Sequence, residues 1–136
     1  MVKIFLDTNV VLDIIGKREP FYHEAKLFLD LHANGLAKLQ IAESSIGNLY
    51  YLAFNVYKLP YSEFTLSHFF KACEILSAGK DLIYKSLESD FKDKEDALQY
   101  YTALMNGCDF LVTRDKKDFK FAKEIRILSP KEFFSN

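Results

Sequence analysis

Four aspartates stand at three places where the chain leaves an apolar run or opens a helix. Asp7 ends Ile4-Phe5-Leu6 and is followed by Thr8-Asn9. Asp96 opens the amphipathic stretch Ala97-Leu98-Gln99-Tyr100-Tyr101. Asp115 and Asp118 follow Phe110-Leu111-Val112-Thr113. Carboxylates gathered at one sheet edge repel each other, and a divalent cation relieves that repulsion. A cation held there can activate water and take up charge on phosphoryl oxygens. The chemistry expected is Mg²⁺-dependent hydrolysis of a phosphodiester. Each aspartate alone also has a plainer reading as a turn residue or helix cap.

On the chemical reading, Asp7 is the central ligand. Asp96 and Asp115 hold the ion from the other side, directly or through its waters. Asp118 binds a second ion or orients water. Thr8, Asn9 and Thr113 hydrogen-bond the carboxylates or the phosphate, as residues around a metal's ligands commonly do. The stretch from Arg114 to Arg126 carries more basic than acidic residues. Arg114, Lys116 and Lys117 flank the expected ion position and are candidates for RNA phosphate contacts, with solvated surface as the competing reading. Lys17 and Arg18 extend the same rim.

Other residues have blander expectations. Asp13 reads as a solvated helix residue and Asp93 as a helix cap. Glu95 reads as surface, because neighbours at i and i+1 on a helix do not face each other. Tyr50, Tyr51 and Tyr57 sit at helical spacing and suit core or dimer packing better than base stacking. His32 lies on an apolar stripe and reads as a packing residue. No glycine-rich phosphate loop, zinc pattern or nucleophile elbow is present.

The elements that must position the acids alternate in type. Val2–Leu6 reads as a strand buried on both faces. A short helix follows from Asn9 to Ile15, then a second through Phe21, Phe28 and His32. Lys38–Ala42 is a strand, and Ser44 or Ser45 caps a helix with Ile46, Leu49, Tyr50, Ala53 and Tyr57 on its apolar face. Pro60 starts a helix to Lys71; Glu74–Leu76 is a short strand; Lys80–Leu87 is helical. Asp93 caps Lys94–Asn106, and Gly107 ends it. Asp109–Thr113 and Ile125–Leu128 are strands. Ser129-Pro130-Lys131-Glu132 combines an N-cap, a proline at the first helical position and an acid at the third. Such alternation favours a parallel sheet with helices on both faces.

Three blocks resemble the PIN domain, the fold of toxin ribonucleases in toxin–antitoxin pairs. They are Leu6-Asp7-Thr8-Asn9-Val10-Val11-Leu12-Asp13, Lys94-Glu95-Asp96-Ala97-Leu98-Gln99, and Asp109-Phe110-Leu111-Val112-Thr113-Arg114-Asp115-Lys116-Lys117-Asp118-Phe119. The resemblance implies a three-layer α/β/α, Rossmann-like parallel sheet of about five strands, in the order 3-2-1-4-5. It implies one such domain over residues 1–136. It also implies Mg²⁺- or Mn²⁺-dependent cleavage of RNA, a homodimer, and a cognate antitoxin inserted into the acidic groove. Asp7, Asp96 and Asp115 match the family's acidic positions, and Asp118 matches a common further one. The departure is Asn48, in Ser45-Ile46-Gly47-Asn48-Leu49, where the family usually has Glu. Asn brings no charge; Glu43 is a candidate to compensate. An Asn at this place also resembles a recurrent subgroup. The alternative reading is a catalytically weak or inactive protein of this type that binds RNA or a partner.

Bulk properties agree with a packed core. The chain has 136 residues, 49% hydrophobic and 27% charged, which suits one packed domain. A net charge of −1 does not advertise nucleic-acid binding but permits a local basic rim. Cys73 and Cys108 sit in apolar surroundings and read as small buried hydrophobes, which suits a reducing, cytoplasmic compartment. No signal peptide is evident, and no apolar run approaches the roughly 20 residues needed to span a bilayer.

Overall fold

The computed structural model describes residues 1–135; Asn136, the last residue of the expected domain span, lies outside the described residues. Five strands, β1 (Val2–Leu6), β2 (Ala37–Ala42), β3 (Cys73–Leu76), β4 (Phe110–Val112) and β5 (Arg126–Leu128), pair in the order β3-β2-β1-β4-β5. Every pairing is parallel. The central strand β1 is apolar except for Lys3, because both of its faces are covered.

Side-chain alternation along β1 divides the core in two. Ile4 and Leu6 enter one apolar cluster, with Val10, Leu12, Phe28, Leu49 and Leu66. Phe5 enters the other, with Ala97, Tyr100, Ala103, Leu111 and Phe119. The first face carries α1 (Thr8–Ile15), α2 (Tyr22–Ala25), α3 (Leu27–Ala33), α4 (Ile46–Tyr50) and α5 (Ser62–Lys71). The second is covered by α7 (Lys94–Met105), with α6 (Lys80–Glu88) packed beside it. The three-layer α/β/α arrangement expected from the sequence is therefore present.

Helix ends follow local chemistry. Asp93 accepts from the backbone N–H groups of Glu95 and Asp96 at 2.8 and 3.2 Å and starts α7. Gly107 takes φ +72 just past its end, a backbone conformation that suits glycine. Ser129 and Glu132 form a reciprocal capping box, with Pro130 opening α8 (Pro130–Phe134). Phe133 and Phe134 then close on Phe28, at ring-centroid distances of 5.2 and 4.7 Å.

Several local expectations are corrected. The helix expected across Phe21 to His32 is two short helices joined at Lys26, and His32 on α3 is exposed rather than packed. The helix expected from Ile46 to Tyr57 changes form: α4 passes into a π-helical segment, Tyr51–Val56, where the Tyr57 N–H reaches the Leu52 carbonyl at 2.8 Å. The wider turn breaks the 3.6-residue stripe. Leu49 and Ala53 stay buried, while Tyr50 and Tyr57 emerge at the surface. Glu43–Ser45 is a 3-10 turn, and Ser45 makes no capping hydrogen bond.

Candidate active site

Asp7 continues the alternation of β1 one step beyond its end. It keeps an extended backbone, and its N–H still pairs with the Val112 carbonyl at 3.0 Å. Its side chain therefore shares the side of Phe5, towards α7. The carboxylate is buried, with the residue only 6% exposed. One oxygen accepts from the Thr8 N–H at 2.8 Å, capping α1; the other accepts from the Thr113 hydroxyl at 2.8 Å. The Gln99 side chain on α7 draws the pKa of the same carboxylate down. Burial raises the pKa of Asp7, these hydrogen bonds oppose the rise, and the nearby Asp115 charge adds to it.

Asp96 and Glu95 face this group from the first turn of α7. Asp96 is half-buried, and its pKa is pushed up to about 7, first by burial, then by the charges of Asp7, Asp93, Asp118 and Glu95. The pKa of Glu95 is also raised, by burial and by Asp93 and Asp7, although much of its surface meets solvent. The Asn48 side chain opposes that rise. Glu95 is exposed, as expected of a surface residue. Gln99 is four residues from Glu95 and three from Asp96, so both acids flank the stripe of α7 that reaches Asp7.

The turn after β4 supplies the other wall. The Asp115 N–H donates to the Thr113 hydroxyl at 3.1 Å, so Thr113 links Asp115 to Asp7. A 3-10 turn, Lys116–Phe119, then sets Asp118 at the lip of an open groove of about 1040 Å³. Asp90, Asp93, Asp96 and Phe121 also line it, with Lys92, Lys117 and Lys120 interspersed.

The remaining candidates divide. Lys117 borders the groove, whereas Lys116 pairs with Glu132 at 3.0 Å. Arg114 binds Asp13 and lies over the Phe21 ring at 3.8 Å. Asn9 receives weak donations from Arg18. The Thr8 side chain lines a cavity of about 10 Å³ shared with Ser45, Leu6 and Ile41, on the face opposite Asp7. Glu43 accepts from the Ser77 hydroxyl at 2.9 Å. Asp13, expected in solvent, is fully buried and held by Arg18 and Arg114. Gln99 went unnoticed in the sequence; its signal is a long polar residue between Ala97 and Ala103 on a buried stripe.

The donor chemistry fits a hard divalent cation: buried and half-buried carboxylate oxygens that repel each other, with the Gln99 Oε1 buried and unpartnered. Among the described residues, no three His, Cys, Asp or Glu side chains close around a single point. Mg²⁺ is commonly bound by one or two carboxylates with water completing its shell.

Comparison with known proteins gives the same architecture a family. Ribonuclease VapC1 of Aquifex aeolicus is 26% identical, over 96% of this chain and 92% of its own. The DNA-bound VapBC structure from Salmonella typhimurium aligns with a TM-score of 0.73 at 19% identity, covering 96% of this chain and 99% of that one. VapBC2 from Rickettsia felis, bound to a promoter DNA fragment, aligns at 0.70 and 19%, covering 93% and 97%. The model of the PIN domain matches residues 3–117, and the chain belongs to that family.

Proposed function

We propose that this protein is a metal-dependent endoribonuclease, acting as a toxin restrained by a protein antitoxin. The observation that carries the reading is the buried Asp7 carboxylate, opposed by Asp96 and Glu95 beside a groove bordered by lysines. A bound Mg²⁺ or Mn²⁺ would supply an activated water and offset charge on the phosphoryl oxygens. The chain's own residues do the rest. Thr8 and Thr113 orient Asp7. Asp96 and Asp115 would be further ligands, and Asp118, which lines the groove, would orient water. Lys117, Lys92 and Lys120 attract the nucleic-acid backbone.

The similarity to a curated ribonuclease supports RNA as substrate, and the VapBC complexes support a partner protein. An apolar groove of about 590 Å³ between Tyr50, Phe54, Leu66 and Phe70 offers a surface for that partner or for a homodimer.

Purified protein is expected to cleave structured RNA in Mg²⁺ or Mn²⁺. Asp7→Asn keeps a capping oxygen for Thr8 and should abolish cleavage with the fold intact. Equal cleavage by both proteins would overturn the assignment. Asn48 favours a second reading, a weakly active or inactive binder of RNA or of a partner. Calorimetry separates them: RNA binding without Mn²⁺ binding at millimolar concentration selects the second.

A further inference from the structure

A hollow of about 440 Å³ lies between the start of α2, the turn after β4 and the start of α8. That is the size of a small-ligand pocket. Its wall combines an exposed ring, Phe21, with two cations, Arg114 and Lys131, one hydroxyl, Ser129, and one carboxylate, Glu24. Arg114 lies over the Phe21 ring at 3.8 Å. It spends Nε and Nη2 on Asp13, at 2.7 and 3.4 Å, and Nη1 donates to no described residue. Because Asp13 is fully buried on α1, the guanidinium is fixed in place. The Ser129 oxygen accepts from the Glu132 N–H at 3.1 Å, which leaves its own hydrogen to donate. Arg114 and Asp115 are consecutive, so their Cα atoms stand about 3.8 Å apart. Arg114 turns to α1, while Asp115 is tied through Thr113 to Asp7. The hollow therefore adjoins the acidic site across a single peptide unit.

We infer that this hollow holds one unpaired nucleotide of the RNA, next to the phosphate that is cut. An unpaired base stacks on aromatic rings and guanidinium planes, and its edge hydrogen-bonds polar side chains. Here the base packs against the Phe21–Arg114 pair, and Glu24 accepts from an N–H on its edge. Arg114 Nη1 and Lys131 take the nucleotide's own phosphate, and the Ser129 hydroxyl adds a donor. The inference rests on the ribonuclease reading above for its substrate. It gives that reading a source of base preference separate from the acids, which meet only the backbone.

The test is an NMR titration of backbone amides, without metal, using the four nucleoside 5′-monophosphates, their nucleosides and ribose 5-phosphate. At least one nucleotide should bind about tenfold more tightly than ribose 5-phosphate, the size expected of a stacked base. The shifted amides should include Phe21, Arg114 and Lys131. Phe21→Leu keeps an apolar side chain and should erase the advantage of the base. Lys131→Ala should weaken the nucleotide and leave its nucleoside unchanged. Thermal melts confirm that each variant folds. Ribose 5-phosphate binding as tightly as every nucleotide overturns the inference, as does an undiminished base advantage in Phe21→Leu. Equal losses for nucleotide and nucleoside in Lys131→Ala overturn the phosphate contact. Cleavage of structured RNA by the wild type in Mn²⁺ is measured apart. Cleavage beside a failed titration leaves the ribonuclease reading standing; base-dependent binding without cleavage keeps the hollow as an RNA site and sinks that reading.

Discussion

Arg114 donates through Nε to Asp13 at 2.7 Å, joining α1 to the turn after β4 across 101 residues of chain. The other Asp13 oxygen takes Arg18 Nε at 2.9 Å. One fully buried carboxylate thus anchors two guanidinium groups, each about one-fifth exposed.

Removing a buried charge that satisfies two others is costly, because the survivors lose their partner in a poorly solvated place. Asp13→Ala is expected to lower unfolding free energy by about 3–5 kcal/mol. Arg114→Met should cost less, since Arg18 still neutralises Asp13. Urea unfolding of both variants checks the order, and a smaller loss for Asp13→Ala would contradict it.

The acid set makes stability depend on pH in a defined direction. The folded pKa of Asp96 lies at about 7, above its usual 3.8, and Asp7 and Glu95 shift the same way. Between those values the folded state binds more protons than the unfolded one. Stability without metal should therefore be fullest below about pH 4 and fall as pH rises towards 7 through these groups. Asp96→Asn should flatten that dependence and raise stability at pH 8 by about 1 kcal/mol. A divalent ion favours the charged carboxylates, so the gain in Tm from Mn²⁺ should grow from pH 6 to pH 8. Melts across pH, with and without Mn²⁺, would show an unchanged gain if the acids do not share an ion.

Lysines of the same turn should behave unequally. Lys117 borders the groove, but Lys116 is paired with Glu132. Lys117→Ala should weaken RNA binding and reduce the salt slope by about one. Lys116→Ala should do less. Binding to catalytically silent Asp7→Asn protein at several salt concentrations measures both, and equal slopes would refute the difference.

Thr113 carries no charge yet joins the two aspartates either side of the β1–β4 junction. Thr113→Val keeps the shape and removes both links. Cleavage should fall about 10–100-fold, with RNA affinity nearly unchanged. A loss confined to affinity would place Thr113 on the substrate instead.

Much of the fold was legible because its signals are local. The apolar run of β1, the Asp93 cap, the Gly107 stop and the Ser129–Glu132 box each act within a few residues. The acidic positions stood out at the ends of apolar runs and the start of a helix, and the resemblance strengthened them; the sheet order came from the resemblance alone. What stayed hidden depends on contacts distant in sequence. Asp13 resembled a surface residue until Arg18 and Arg114 met it. The π-helical segment left no composition signal, since Tyr51–Val56 would suit an ordinary helix equally well.

The pairing of β1 with β4 has a consequence for synthesis. A ribosome that has released only the first 90 residues has made Asp7 but not Gln99, Thr113 or Asp115, which lie ahead on the message. The nascent polypeptide holds half a pocket, and β4 must emerge before the second wall exists. On the nuclease reading, a cell translating this chain meets no cutting activity until β4 has left the ribosome.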